Sequence, residues 1–186
     1  MVRKKQLEFK NHGFNKPNDC FGGSLLKNSN AKISRPLDSK LPLHLVLRSH
    51  KSAMRLFKTM KVVDEQVTAI CKKHGVRLYE YANVGNHLHL LIKIPRREAW
   101  AAFIRELSGR IAQIVRGLLG IQGDFWTQRP FTRIVRGWRT VFYRAKDYIR
   151  LNGLEAERRI TGPEMKFLRT LRLQVIRAGW TDVPAP

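Results

Sequence analysis

The run Asn86-His87-Leu88-His89-Leu90-Leu91-Ile92-Lys93-Ile94 limits the fold of this chain more than any other stretch. In a β-strand, successive side chains point to opposite faces. Leu88, Leu90, Ile92 and Ile94 then share one face, apolar enough to lie under helices. His87 and His89 share the other. Two imidazoles side by side on a rigid strand supply part of what a divalent metal site needs. The same pair also fits a strand with two half-exposed histidines and no ligand, and the pair alone does not choose.

The neighbouring segments say what kind of sheet holds this strand. Leu43-His44-Leu45-Val46-Leu47-Arg48 reads as a first strand, with Leu43, Leu45 and Leu47 on one face. Residues 52–74 carry a helical pattern that stops at His74-Gly75. Residues 76–84 read as a second strand. Gly85-Asn86 turns the chain into the histidine strand, making a hairpin that Pro95 ends. A second helix over 97–119 repeats Trp100, Phe103, Ile104, Leu107, Ile111, Ile114 and Val115 at helical spacing. Residues 131–135 read as a fourth strand. A third helix over 138–155 places Trp138, Val141, Phe142, Ala145, Ile149 and Asn152 on one side, with Gly153 as an early end or a kink. A last basic amphipathic helix is expected over 163–177.

The order β-α-β-β-α-β followed by a helix predicts an α+β fold of the ferredoxin-like, split β-α-β kind. It is an antiparallel sheet with two helices on one face and a later helix after the last strand. The two helices cover the leucine face of the histidine strand, leaving the histidines for a later element to meet. Residues 1–40, rich in Asn, Gly, Ser, Pro and Lys, read as a basic, flexible arm. Residues 41–158 form the folded domain, and 159–186 a basic helix and tail.

Charge narrows the partners. Lys and Arg number 36 against 14 acidic residues, a net +22, while 43% hydrophobic content supports a real core. Nucleic acid is the first partner this implies, since cationic side chains gain affinity by displacing phosphate counterions; an anionic membrane surface is the second. The two cysteines, Cys20 and Cys71, make neither a zinc framework nor a disulfide scaffold and fit a reducing cytosol. No run is apolar enough to span a membrane, and the N-terminus lacks the apolar core of a signal peptide.

On the third helix, Tyr148 and Asn152 are four residues apart and stack on one face. Both lie on or beside the apolar stripe and so face the sheet. Asn152 interrupts that stripe at a cost unless its amide finds a partner, and a metal held by two imidazoles would be one. Tyr143 also has a polar residue four positions on, Asp147, but Tyr143, Lys146, Asp147 and Arg150 form a polar face expected to be solvated. Tyr148 is therefore the better candidate for a reactive tyrosine.

These motifs resemble a known family. His87-Leu88-His89 followed by Leu90-Leu91-Ile92 resembles the metal-binding motif of HUH endonucleases. Asp147-Tyr148-Ile149-Arg150-Leu151-Asn152 resembles the Tyr-Ile-x-x-Asn helix of their single-tyrosine transposases. Between them, Trp126-Thr127-Gln128-Arg129-Pro130-Phe131-Thr132-Arg133-Ile134 is similar to that branch's Trp-Gln-Arg-x-Phe-x-x-Arg-Ile strand. REP-associated tyrosine transposases of bacteria are the best match, over roughly residues 41–156. The chain departs from the pattern at Gly153, where the family often has Pro, at Thr127, which interrupts the Trp-Gln pair, and at Thr132, where an acidic residue is common.

The resemblance implies a bacterial cytoplasmic, nucleoid-associated enzyme that cuts single-stranded or hairpin DNA. Tyr148 would attack a backbone phosphorus to form a 5′-phosphotyrosine. Mg²⁺ or Mn²⁺ would be held by His87, His89 and Asn152. Arg129, Arg133, Arg136, Arg139, Lys146 and Arg150 would contact DNA, with Lys146 and Arg150 also favouring the phenolate. Family members are often homodimers, and the sequence leaves monomer and dimer open. The competing reading is a non-catalytic nucleic-acid-binding protein that keeps the fold, as ferredoxin-like sheets bind single strands through aromatics on an open face. Trp126 and Phe131 are its candidate stacking residues, though core packing accounts for both.

Overall fold

The strands at 43–48 and 87–93 each give one face to Leu and Ile alone and the other to histidine together with Val46, Arg48 or Leu91. The computed structural model describes residues 19–23, 34–137, 140–164, 166–168 and 170. Its strands are β1 (Cys20–Phe21), β2 (Leu43–Arg48), β3 (Arg77–Asn83), β4 (His87–Lys93) and β5 (Phe131–Ile134). Its helices are α1 (Met60–Lys73), α2 (Ala99–Leu119) and α3 (Thr140–Ala156). The strands form one antiparallel sheet in the order β1-β5-β2-β4-β3. This is the expected α+β arrangement with an edge strand added.

The β2–β4 register sets Leu45 against Leu90 and Leu47 against Leu88, and on the other face Val46 against His89 and Arg48 against His87. The leucine face is sealed by α1, through Val63, Val67, Ile70 and Cys71, and by α2, through Trp100, Phe103, Leu107, Ile111 and Val115. Leu45, Leu88, Leu90 and Ile92 are fully buried there. Truncating any of them to Ala should cost about 2–5 kcal/mol.

The opposite face is covered by α3. Phe142, Ala145 and Ile149 pack with Ala82, Leu91 and Val135 into a second, smaller core. A register shift between Leu78 and Glu80 lets Tyr79 as well as Glu80 meet α3, and the Tyr79 ring lies edge-on to Phe142 at 5.1 Å. The helix runs through Gly153, whose added Cβ would touch Ala82 Cβ at 3.4 Å. Gly153 is thus neither a helix end nor a break, but a point where α3 packs against β3.

Two segments differ from the sequence reading. The helix expected from residue 52 begins at Met60, after a run of turns. Ala53 and Met54, which lengthened the apolar pattern, plug the space under the β3–β4 turn instead. Met54 N–H donates to Gly85 O at 3.0 Å, Asn83 Nδ2 donates to Met54 O at 2.7 Å, and the Thr59 hydroxyl donates to Ala53 O at 2.6 Å. Gly85 makes this turn possible with φ +97°, which side chains disfavour.

The second difference lies in the stretch read as an arm, where Cys20–Phe21 pairs with β5. Asp19 is 2% exposed and accepts from Arg136 Nε at 2.8 Å. Arg35 lies over the Phe21 ring and donates to Thr132 Oγ1 at 2.6 Å. Residues 162–164, 166–168 and 170 are helical, where the C-terminal helix was expected; 165, 169 and 171–186 lie outside the described residues, as do 1–18 and 24–33.

Candidate active site

Three histidines, not two, meet on the face of the sheet under α3. Alternation along β4 puts His87 and His89 there, and their rings lie edge-on with centroids 4.6 Å apart. Alternation along β2 puts His44 on the same face. Its ring lies beside that of His89, with centroids 5.3 Å apart and planes 19° from parallel. His44 Nε2 and His89 Nδ1 are 3.1 Å apart, and His87 Nδ1 is 2.5 Å from Asn86 Oδ1. All three rings are less than a tenth exposed.

Burial favours the neutral form of His87 and His44. It pushes His87 down to about 4, helped by the charge of Arg48, which faces it across the β2–β4 ladder. It pushes His44 to about 3, helped by Arg133 and then His87. A neutral imidazole keeps a lone pair, and that is the form able to bind a cation.

α3 brings the tyrosine. With Phe142, Ala145 and Ile149 anchored in the second core, the Tyr148 ring lies edge-on to His89 at 5.6 Å and to His44 at 5.9 Å between centroids. One turn on, Asn152 is 6% exposed and its Nδ2 donates to Tyr148 O at 2.6 Å. The donor side of the amide is thus engaged by the helix, and its oxygen is the acceptor end.

Tyr143 packs elsewhere. Its ring is edge-on to Phe142 at 5.4 Å and half-buried, rather than solvated as its polar neighbours suggested. The reason is that α3 lies flat on β3, so that even Lys146 is half-covered and 4.0 Å from Glu80.

The cations named from sequence are placed unequally. Arg129 and Arg150 are exposed. Arg133 is 8% exposed and sits opposite His44 in the β2–β5 register. Arg136 is paired with Asp19, and Lys146 with Glu80. Arg139 lies outside the described residues. Trp126 donates its indole N–H to Ser108 O at 3.0 Å and packs on the first core.

His44, Asn86 and Arg48 adjoin the histidines, and sequence reading did not single them out. The signal for His44 and Arg48 was present, since alternation that points Leu43, Leu45 and Leu47 inward points His44, Val46 and Arg48 to the histidine face. It becomes a signal only once β2 is placed beside β4.

Among the described residues, no three His, Cys, Asp or Glu side chains are grouped to hold a metal ion. A cation here would therefore take two neutral imidazoles and complete its shell with oxygen. Amide and phosphate oxygens with few nitrogens suit Mg²⁺ or Mn²⁺ better than zinc, which favours a closed N/S set. The donor set of His87, His89 and the Asn152 oxygen fits such an ion.

Comparison with known proteins agrees with this architecture. The family model for IS200-like transposases matches residues 38–150. No curated protein matches the chain. Among solved structures, a REP-associated tyrosine transposase bound to a REP hairpin is 12% identical with a TM-score of 0.55, over 68% of this chain and 74% of the other. A chain from Deinococcus radiodurans R1 described as a transposase is 15% identical with a TM-score of 0.43, over 66% of this chain and 98% of that one.

Proposed function

Because the chain belongs to the family of IS200-like transposases, we propose that it cuts and rejoins single-stranded DNA through Tyr148, beside a divalent cation held by His87, His89 and Asn152. The observation that carries this reading is the packing of Tyr148 against His89 and His44 on one sheet face. Both the tyrosine and the histidines come from the same chain.

In this mechanism the Tyr148 oxygen attacks a backbone phosphorus. The bond to the 3′ oxygen breaks, leaving a 5′-phosphotyrosine and a free 3′-hydroxyl. The covalent ester keeps the phosphodiester energy, so another 3′-hydroxyl can displace Tyr148 and rejoin the strand without ATP. When bound, Mg²⁺ or Mn²⁺ would polarise the scissile phosphate and offset charge on the leaving oxygen.

The buried ring of His87 keeps a lone pair for that role at any pH well above about 4. Arg129 and Arg150 are the surface cations best exposed for phosphate contacts, which position a strand without reading its sequence. Arg133 lies opposite His44 in the β2–β5 register. Arg136, Lys146 and Arg139 complete the proposed DNA-contacting set.

Hairpin repeat DNA is the favoured substrate class, by likeness to the hairpin-bound structure. No helix among the described residues is long and apolar enough to cross a membrane. A base-stacking module is less well supported. The central strand is covered by α3, with Leu91 fully buried and His89 3% exposed, and Trp126 is tied to α2.

The test is incubation of labelled single strands from hairpin repeats flanking the gene with Mg²⁺ or Mn²⁺. A metal-dependent covalent protein–DNA band is expected with the wild type and not with Tyr148→Phe. Equal cleavage by Tyr148→Phe would overturn the assignment.

A further inference from the structure

Each histidine of the proposed cation pair has its δ-nitrogen bonded to a different neighbour. His87 Nδ1 meets Asn86 Oδ1 at 2.5 Å, and His89 Nδ1 meets His44 Nε2 at 3.1 Å. Those bonds leave only the ε-nitrogens of His87 and His89 able to point a lone pair at an ion. A neutral imidazole carries one proton, so a lone pair at Nε2 requires the proton at Nδ1.

For His87 the partner settles the direction, because an amide oxygen can only accept. The bond is therefore Nδ1–H of His87 donating to Asn86. For His89 the bond could run either way between two imidazoles. If His44 donated, His89 would carry its proton at Nε2 and could not bind a cation there. If His44 accepts, His89 matches His87 and each ring carries its lone pair at the ε-nitrogen.

We propose that His44 and Asn86 are positioning residues that hold His89 and His87 in the Nδ1–H tautomer, committing both ε-nitrogens to the cation. The inference rests on the proposed cation role of the histidine pair and adds how the pair is kept in a binding form before any ion arrives.

His44 is not a third ligand in this scheme. Its ring lies nearly parallel to that of His89 and meets it through the ε-nitrogen, and no trio of His, Cys, Asp or Glu among the described residues is grouped for a metal. It instead does what a carboxylate or carbonyl does behind many metal-bound histidines, accepting from the second ring N–H and fixing ring orientation. The sheet supplies the rigidity. His44 sits on β2 and His89 on β4 as a diagonal pair, two residues apart in the ladder and on one face, where Val46 directly faces His89 and Leu91 faces His44.

The test reads the protons directly. In metal-free protein, ¹⁵N correlation spectra of the imidazoles should show His87 and His89 as Nδ1–H tautomers. His44→Phe removes the acceptor and should move His89 toward the Nε2–H form. It should also weaken Mn²⁺ binding, followed by paramagnetic relaxation, on the order of 10–100-fold. His44→Gln restores an acceptor oxygen and should recover both. Asn86→Asp should keep the His87 tautomer, and Asn86→Leu should lose it.

Wild-type His89 protonated at Nε2 would overturn the inference. So would His44→Phe binding Mn²⁺ as tightly as the wild type with its spectrum otherwise folded. A wild type that shows both tautomers and binds Mn²⁺ yet cuts no DNA would sink the proposed activity while supporting this inference.

Discussion

Acid should destabilise the metal-free protein well before its carboxylates account for it, because His87 and His44 are buried as neutral rings. Burial, with Arg48, pushes His87 from 6.5 to about 4; burial, with Arg133 and His87, pushes His44 from 6.5 to about 3. In the unfolded chain both titrate near 6.5. Below that pH the unfolded state takes up protons that the folded state refuses, so stability falls as pH falls, beginning near 6.5 and levelling only below the folded values. At about pH 4.5 each ring should have cost about 2.5 kcal/mol, on the order of 5 kcal/mol together, a large share of the 5–15 kcal/mol that holds an ordinary domain. The two are 6% and 8% exposed, so solvent screening discounts this little. The assay is urea unfolding in the presence of a chelator, stepped from about pH 7.5 to about pH 4.5, with wild type beside His44→Gln. Carboxylates titrate in both proteins and cancel in the difference. The variant should lose about 2.5 kcal/mol less across the range. Parallel pH curves for the two proteins would refute the reasoning.

Three further outcomes follow from the packing. Tyr143→Phe should leave DNA cleavage near the wild-type rate, since that ring packs on Phe142 away from the histidines; loss of the covalent product in this variant, with Tyr148→Phe still active, would reverse the choice of nucleophile. Gly153→Ala should raise stability by about 0.5–1 kcal/mol in urea unfolding, because the residue is inside α3 and its Cβ meets Ala82 at ordinary contact distance; a loss would mean that α3 cannot give there. Arg35→Ala should cost about 1–3 kcal/mol by stranding the buried Thr132 hydroxyl, and should speed hydrogen exchange of the Phe21 region ahead of β2 and β4; exchange that rises equally everywhere would argue against a local anchor.

What could be read from the sequence was whatever local periodicity determines. The leucine and histidine faces of β4, the Trp100-to-Val115 stripe of α2 and the stop at His74-Gly75 all follow from spacing and from Gly. What could not be read depends on contacts distant in sequence. The start of α1 was misplaced because Met54 looks helical but is held by Asn83 and Gly85, about 30 residues on. β1 has no periodicity of its own and pairs with β5, flanked by the Asp19–Arg136 ion pair and the Arg35–Thr132 bond.

The site divides the same way. His87 and His89 stood out as a pair on one face of a strand whose other face is apolar, and Tyr148 and Asn152 as polar residues on or beside the apolar stripe of α3. His44 alternates just as regularly, but only the β2–β4 register brings its ε-nitrogen onto His89. The half-burial of Tyr143 depends on how α3 lies over the irregular Leu78–Glu80 stretch of β3, which no helix periodicity reports.

The central claim is that Tyr148 becomes covalently joined to the 5′ end of a cut strand. The most direct measurement is mass spectrometry of the protein after reaction with a hairpin-repeat single strand and Mn²⁺, digested with protease and nuclease. The account expects a peptide containing Tyr148 that carries the mass of a 5′-linked nucleotide, absent when chelator is added. A nucleotide on any other residue, or strand cleavage with no protein adduct at all, would contradict it.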